Sequence, residues 1–318
     1  MLGNELKLMD KKKISVVVSC FNEEEALPMF YQAIVNVAEK MDNLDFEFIF
    51  VDDGSTDKTL LVIKKFRKND DRVKYISFSR NFGKEAAMYA GLQRSEGDYI
   101  TVMDADLQDP PSLLPEMYRL ISLEEYDIVA TRRKTRKGEP KIRSFFARKF
   151  YQVINKMTDK IEIVDGARDF RLMTRQVVDE ILKLCEYNRF SKGIFAFVGF
   201  KTKWIEYENI KRIAGVTKWS FKALLKYAIG GIVAFTISPL KWPIYAGAIF
   251  LFTSFVMFII MICNMFTLSI QYNLITLILF ISGLLFIFIG NMGLYIGRDY
   301  LENKKRPIYI VKETEEKI

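Results

Sequence analysis

Hydrophobic and polar positions alternate over about the first 130 residues in a pattern that predicts strands separated by helices. Short runs of β-branched and aromatic residues predict strands at 14–20, 46–51, 73–78, 99–103 and 127–131. The segments between them have the periodicity of helices, at 24–41, 57–68 and 84–94. Strands that alternate with helices of this length are typical of βαβ units, so we expect a mostly parallel sheet.

The pattern becomes mixed after residue 140. A basic amphipathic helix is predicted over 141–157, an irregular segment over 164–170, a helix over 174–185 and an alternating strand over 201–207. Residues 216–240 are rich in Lys, Phe, Trp and Leu, which is typical of a helix lying in a membrane interface. An ordinary helix that packs against the domain is the alternative for this last segment.

Residues 242–297 contain no Asp, Glu, Lys or Arg. A membrane-spanning helix needs roughly 20 apolar residues, so this stretch can hold two, at about 243–264 and 274–297. A buried helical hairpin would be expected to keep a polar face. Lys and Arg flank the pair on both sides and do not occur in the turn between the spans. The positive-inside rule then predicts a chain that crosses the cell membrane twice, with both termini and the N-terminal domain in the cytoplasm.

Composition narrows the chemistry. The formal net charge is +8, which an anionic membrane surface explains better than nucleic acid, because no basic and aromatic nucleic-acid motif is recognisable. The sequence has no histidine, so acid–base and metal chemistry must use carboxylates. Cys20, Cys185 and Cys263 lack metal-ligand spacing and are expected to be small buried residues.

Polar clusters follow four predicted strands, where parallel sheets bind their ligands. They lie at 22–23, 52–55, 79–81 and 104–106. Asp104 and Asp106 are the sharpest pair, because side chains two residues apart in an extended chain point the same way. Paired carboxylates favour a hard divalent ion, Mg²⁺ or Mn²⁺, shared with substrate phosphates. A solvated turn is the alternative.

Two further clusters suggest contacts with a nucleotide. The pair Asp52 and Asp53 can accept hydrogen bonds from a base or a ribose, whereas Thr56 or Asp57 can cap the following helix. Arg80 and Lys84 precede a predicted helix, where cations can contact a pyrophosphate, and a solvated surface is the alternative for both.

The order of these motifs resembles family 2 glycosyltransferases. The segments 19–23, 51–57, 79–83 and 103–111 read SCFNE, VDDGSTD, SRNFG and MDADLQDPP. They are most similar to the dolichol-phosphate mannose synthase branch and its bacterial bactoprenol (undecaprenyl-phosphate) glucosyltransferases. Segments 167–173, 188–193 and 212–218 extend the resemblance over most of the chain. Two departures are Cys20-Phe21 in place of the common Pro-Tyr, and Asn209 in place of a common Arg.

The resemblance implies a GT-A fold, an inverting reaction, a nucleotide-sugar donor and a polyprenyl-phosphate acceptor, undecaprenyl or dolichyl phosphate. It implies that the nucleotide is held by Asn22, Glu23, Asp53 and Asp104. Asp106 would be the principal metal ligand, together with Asp104, and Asp169 would be the catalytic carboxylate. The basic residues expected near the donor or acceptor phosphate are Arg189, Lys192, Arg212 and Lys218. An ion pair with Arg168 or Arg171 is the alternative role for Asp169. Glucose from UDP-glucose is the expected transfer, with UDP-N-acetylglucosamine and GDP-mannose as alternative donors.

The predicted organisation is a catalytic α/β domain over 1–212, interfacial helices over 213–241, two transmembrane helices over 242–297 and a cytoplasmic tail over 298–318. Glycines at 283, 290, 293 and 297 permit a homo-oligomer. A processive polysaccharide synthase is disfavoured because the sequence has no Gln-x-x-Arg-Trp motif. A membrane-tethered nucleotide-sugar sensor is the non-enzyme alternative, and it would be expected to lack Asp104, Asp106 or Asp169.

Overall fold

The computed structural model describes residues 11–134, 152, 155, 163–187, 189–208 and 270–316. The chain divides into two compact units, one formed by Met1–Lys226 with Pro307–Ile318 and the other by Tyr227–Arg306. The predicted interfacial segment 216–240, the first predicted span, Cys263, Arg212 and Lys218 lie outside the described residues. So does the helix predicted over 141–157, apart from positions 152 and 155.

The elements of the described residues follow the predicted order closely over the first 133 residues. Strands are β1 Lys13–Cys20, β2 Asp45–Asp52, β3 Val73–Phe78, β4 Tyr99–Asp104, β5 Ile128–Arg133, β6 Ala167–Thr174, β7 Thr202–Tyr207 and β8 Val311–Thr314. Helices are α1 Leu27–Glu39, α2 Thr59–Asn69, α3 Lys84–Arg94, α4 Leu114–Leu123, α5 Arg175–Lys183, α6 Ser191–Phe197 and α7 Ile270–Asn303, with a 3₁₀ turn at Pro111–Leu113.

The first unit is built on an eight-stranded sheet in the order β7-β5-β6-β4-β1-β2-β3-β8. Strands β4, β1, β2 and β3 run parallel to one another, and β5 runs parallel to β7. Antiparallel pairs join β6 to both β4 and β5, and β8 to β3. The predicted mostly parallel sheet is confirmed, and its antiparallel members come from the later part of the chain.

The register of β1 explains why the polar clusters meet. Ser19 pairs with Asp104, and Cys20 pairs with Asp52, so β1, β2 and β4 end level with one another. The loops that follow these strands therefore leave the sheet at one edge, as expected for a ligand site in an open α/β sheet.

Buried apolar side chains support this edge of the sheet. Strand β1 buries Val16, Val17 and Val18 completely, because both faces of the central sheet are covered. Helix α1 adds a buried stripe that includes Phe30 and Ile34, and each such side chain contributes about 1.5–3 kcal/mol of burial free energy. Helix α3 approaches strand β1 closely at Gly91, where an added Cβ would lie 2.2 Å from Val17 Cγ1.

Besides helices α4 and α6, which the pattern did not predict, three features differ from the sequence-based expectations. An irregular segment was expected over 164–170, but strand β6 begins at Ala167, because its hydrogen-bond partners lie on β4 and β5, distant in sequence. The tail beyond 303 contributes strand β8, which was not predicted. Cys185 is exposed rather than buried, since it lies just past the end of α5, whereas Cys20 is buried as expected.

The second predicted span falls within α7, a helix of 34 residues. Among the described residues, no helix meets the combined length and apolarity needed to cross a membrane.

Candidate functional site

Asp104 and Asp106 lie where β4 ends and its loop begins. Asp104 is the last residue of the strand, and the backbone turns at Leu107, which has a φ of 55°. The Asp106 side chain is buried, and its Oδ1 accepts a hydrogen bond from the Gln108 N–H at 3.1 Å. This turn keeps both carboxylates at the sheet edge.

Lys84 connects Asp104 with Asp169. Its ammonium lies 2.6 Å from Asp104 Oδ1 and 2.5 Å from Asp169 Oδ2. Lys84 is the first residue of α3, and Asp169 lies on β6, so one cation ties three elements together. The ion pair of Asp169 is thus with Lys84, whereas Arg171 donates to the Asp169 main-chain oxygen at 3.3 Å.

The electrostatics of this cluster keep Asp169 ionised. Burial acts against its charge, but the Lys84 and Lys192 ammonium groups outweigh that cost and hold the pKa of Asp169 well below its usual range. Burial, together with the nearby Asp169 and Asp106 charges, raises the pKa of Asp104 despite Lys84. Burial also opposes the charge of Lys84, yet its two carboxylates raise the Lys84 pKa. Asp169 Oδ1 is buried and has no hydrogen-bond partner among the described residues.

Asp53 organises the segment before α3. Its carboxylate accepts hydrogen bonds from the Phe82 N–H at 2.7 Å, the Gly83 N–H at 2.9 Å and Asn81 Nδ2 at 3.0 Å. Burial raises the pKa of Asp53 to about 6, although these hydrogen bonds favour the charged form. Arg80 is exposed, with its guanidinium 4.0 Å from the centre of the Phe82 ring.

Asn22 and Glu23 are bound to the loop after β2. Asn22 has a φ of 53°, and its Oδ1 accepts a hydrogen bond from the Thr56 N–H at 2.8 Å. The main-chain N–H groups of Asn22 and Glu23 donate to Ser55 Oγ and Thr59 Oγ1. The clusters at 22–23 and 52–55 therefore form one connected rim.

Of the four basic residues expected near phosphate, the described residues include two, Arg189 and Lys192, and these differ in their placement. Lys192 lies on α6, and its charge is one of those that lower the pKa of Asp169. Arg189 packs over the Tyr89 ring at 4.3 Å and donates to the Leu184 main-chain oxygen. Lys192 thus contributes to the electrostatic surroundings of Asp169, whereas the described contacts of Arg189 are with Tyr89 and Leu184.

A buried ion pair that sequence reasoning missed supports the cluster. Arg168 donates to both carboxylate oxygens of Asp109, at 2.7 and 3.0 Å, and the Tyr207 hydroxyl donates to the same carboxylate. Asp109 is only 1% exposed. The pair joins the loop of Asp106 to the strand of Asp169. Asp109 is part of the motif at 103–111, but a local sequence pattern cannot identify a partner 59 positions away.

The residues suit a metal ion that is held together with substrate. In the described ranges, no group of three or more His, Cys, Asp or Glu side chains could hold a metal. Asp104 and Asp106 supply carboxylate oxygens, and Mg²⁺ typically takes one or two carboxylates while substrate phosphates complete its shell. The donor set therefore fits a hard divalent ion bound with a diphosphate.

Comparisons with known proteins confirm the resemblance seen in the motifs. The family model described as "Glycosyl transferase family 2" matches residues 15–182. The bactoprenol glucosyl transferase of Shigella phage SfV is 38% identical over 314 residues, which cover 96% of this chain and 100% of the relative. The prophage bactoprenol glucosyl transferase homolog of Escherichia coli (strain K12) is 39% identical over 310 residues, covering 95% and 99%.

One solved structure that matches this chain is glucosyl-3-phosphoglycerate synthase from Mycobacterium tuberculosis. It is 19% identical, and the alignment covers 70% of this chain and 78% of that chain with a TM-score of 0.46.

Proposed function

The chain belongs to glycosyl transferase family 2, and on that premise we propose that it transfers glucose from UDP-glucose to undecaprenyl phosphate. The observation that carries the proposal is the convergence of Asp104, Lys84 and Asp169 at the end of β4. Nearly full-length similarity to two bactoprenol glucosyl transferases supports the choice of acceptor and sugar.

The proposed reaction is a single inverting displacement. A phosphate oxygen of the acceptor attacks C1 of the sugar, the bond from C1 to the diphosphate oxygen breaks, and UDP leaves with that electron pair. A phosphate monoester has a second pKa of about 6 and is largely a dianion at neutral pH. The acceptor therefore needs placement and charge shielding more than it needs a base, which suits a sequence without histidine.

In this proposal, Asp104 and Asp106 hold Mg²⁺ or Mn²⁺, which would neutralise charge on the leaving diphosphate. Lys84 and Lys192 bring positive charge to the side of the site that carries Asp169. Asp169 stays ionised beside them and orients the reacting groups. Asn22, Glu23 and Asp53 form the rim that receives the nucleotide.

We also propose a membrane location, with the catalytic domain and both termini on the cytoplasmic side. The support is the uncharged stretch 242–297 and the Lys and Arg residues that flank it. Arg212 and Lys218 are placed by this proposal near the lipid phosphate. An acceptor whose phosphate emerges from a bilayer suits a catalytic domain held beside that bilayer.

Radiolabelled UDP-glucose, incubated with the purified full-length chain, Mg²⁺ or Mn²⁺ and undecaprenyl phosphate, tests the proposal. Label should pass into an organic-extractable lipid, and UDP-N-acetylglucosamine and GDP-mannose should be poorer donors. Asp106→Asn and Asp169→Asn should abolish transfer, while Asp71→Asn, at a fully exposed carboxylate, should not.

Two results would redirect the proposal. Faster transfer from one of the other two donors would change the sugar and keep the reaction. Tight nucleotide binding without transfer from any of the three donors would favour a membrane-tethered nucleotide-sugar sensor.

A further inference from the structure

The C-terminal segment 307–316 is part of the catalytic sheet. Strand β8 pairs antiparallel with β3, with Thr314 opposite Ile76 and Val311 opposite Phe78. The Ser79 N–H donates to the Ile310 carbonyl at 3.0 Å, which extends the contact past the end of β3. Segment 80–84, which carries Arg80 and Lys84, begins at the next residue.

An aromatic path leads from this tail to the nucleotide rim. The Tyr309 ring stacks on Phe78 with centroids 4.8 Å apart and an interplanar angle of 20°. Phe78 meets the edge of Phe82 at 5.7 Å, and the Phe82 N–H donates to Asp53. Three consecutive contacts therefore join Tyr309 to the carboxylate that organises segment 80–84.

The tail also holds the far end of helix α3. Glu315 accepts hydrogen bonds from the Tyr75 N–H at 2.8 Å and from Arg94 Nη2 at 3.0 Å, and its side chain is 5% exposed. Arg94 is the last residue of α3, and Lys84 is the first. The tail thus contacts the structures on both sides of segment 80–84: strand β3 before it and the end of α3 after it.

We propose that the C-terminal segment 307–316 positions segment 80–84 for the nucleotide, with Tyr309 as the positioning residue. This inference rests on the proposed function only in taking the rim at Asp53 as the nucleotide site. A tail that merely covered the edge of β3 would protect against edge-to-edge pairing without any effect on nucleotide affinity. The two roles therefore predict different results for the same variants.

The test measures UDP and GDP binding calorimetrically with the full-length chain, alongside donor KM, kcat and thermal midpoint. Tyr309→Ala should weaken nucleotide binding and raise donor KM about three- to tenfold, the loss expected for one aromatic pair, with little change in kcat. Tyr309→Phe keeps the stacked ring and loses only the hydrogen bond to Gln93, so its affinity should stay within about twofold of wild type.

Lys64→Met is the matched control. It removes the ion pair between α2 and Glu313 of the tail, a contact that does not lead to segment 80–84, and should leave nucleotide affinity unchanged.

Unchanged nucleotide affinity in Tyr309→Ala, whatever its thermal midpoint, would overturn the inference. Equal losses in Tyr309→Ala and Lys64→Met would overturn it too, because they would show a general effect of loosening the tail. If Tyr309→Ala weakens binding in a chain that transfers no sugar, the inference stands and the proposed function fails.

Discussion

Lys84 Nζ lies 2.5 Å from Asp169 Oδ2, and the residues are 85 positions apart in the chain. The same ammonium contacts Asp104. Lys84, at the start of α3, therefore holds two carboxylates together. Asp104 belongs to the proposed metal and nucleotide site, and Asp169 is proposed to orient the reacting groups. Without that cation, Asp104 and Asp169 would face each other as two partly buried carboxylates with no positive charge between them.

Replacing Lys84 by methionine should therefore destabilise the protein. Breaking a fully buried ion pair costs about 3–5 kcal/mol. The Lys84 side chain is 30% exposed, so we expect a loss on the order of 2 kcal/mol, seen as a lower midpoint of thermal unfolding. Lys12→Met, which removes an exposed pair with Asp98, should lower the midpoint much less, because exposed ion pairs contribute little to stability. Equal midpoints for the two variants would contradict a structural role for the Lys84 cluster.

Breaking the pair of Arg168 and Asp109 should destabilise the protein more than replacing Lys84 does. Arg168→Met leaves the Asp109 carboxylate buried without its cation, and we expect a loss of about 3–5 kcal/mol in the free energy of unfolding. Tyr207→Phe removes one hydrogen bond to the same carboxylate and should cost about 1.5–3 kcal/mol. Denaturant titration measures both. Arg132→Met breaks an exposed pair with Glu206 and serves as the control. A loss in Arg168→Met as small as the control's would show that Asp109 is not held by this pair.

Asp53 should give the protein two opposite responses to pH. Burial raises its pKa to about 6 from an ordinary 3.8, so the folded state binds this proton more tightly than the unfolded state does. The contribution of Asp53 to the free energy of unfolding is then largest below pH 4 and is lost as pH rises from about 4 to about 6. Donor binding should respond in the other direction, because a protonated Asp53 is a weaker acceptor for the Phe82 and Gly83 N–H groups.

Donor KM should thus increase as pH falls below about 6. Measuring donor KM and thermal midpoint between pH 4 and 8 for wild type and Asp53→Asn tests this prediction. Asp53→Asn should show neither the rise in donor KM at low pH nor the Asp53-dependent change in thermal midpoint. Identical pH profiles in the two proteins would rule out Asp53 as their source.

Gly54→Ala should disturb the same rim sterically. Gly54 has a φ of +65°, and an added Cβ would lie 2.3 Å from the Arg80 carbonyl carbon. The backbone of segment 80–82 must then move, so we expect donor KM to rise as well as stability to fall by about 1–3 kcal/mol. Gly83→Ala provides the comparison, since φ is +99° there but nothing lies within 4 Å of the added atom. A larger effect on donor KM in Gly83→Ala than in Gly54→Ala would contradict the clash.

Much of the site could be predicted from short-range patterns. Strands β1 to β4 and the polar residues after them are encoded in runs of about six to eight residues, and parallel pairing brings their ends to one edge. The resemblance to family 2 glycosyltransferases points to Asp169, but local patterns do not reveal its partner. The alternative partners, Arg168 and Arg171, are neighbours in sequence, whereas Lys84 reaches Asp169 only through the antiparallel pairing of β6 with β4.

The amino-acid sequence by itself determined the periodicity of the elements, the identity of the acidic clusters and the absence of histidine chemistry, because these properties depend on residues close together in the chain. The tertiary structure decided which charges neutralise one another and which strands complete the sheet. Lys84 with Asp169, Arg168 with Asp109 and β8 with β3 all join distant segments. A four-residue strand such as Val311–Thr314 has too few positions to show a pattern. It becomes a strand because the edge of β3 offers unpaired hydrogen-bonding groups.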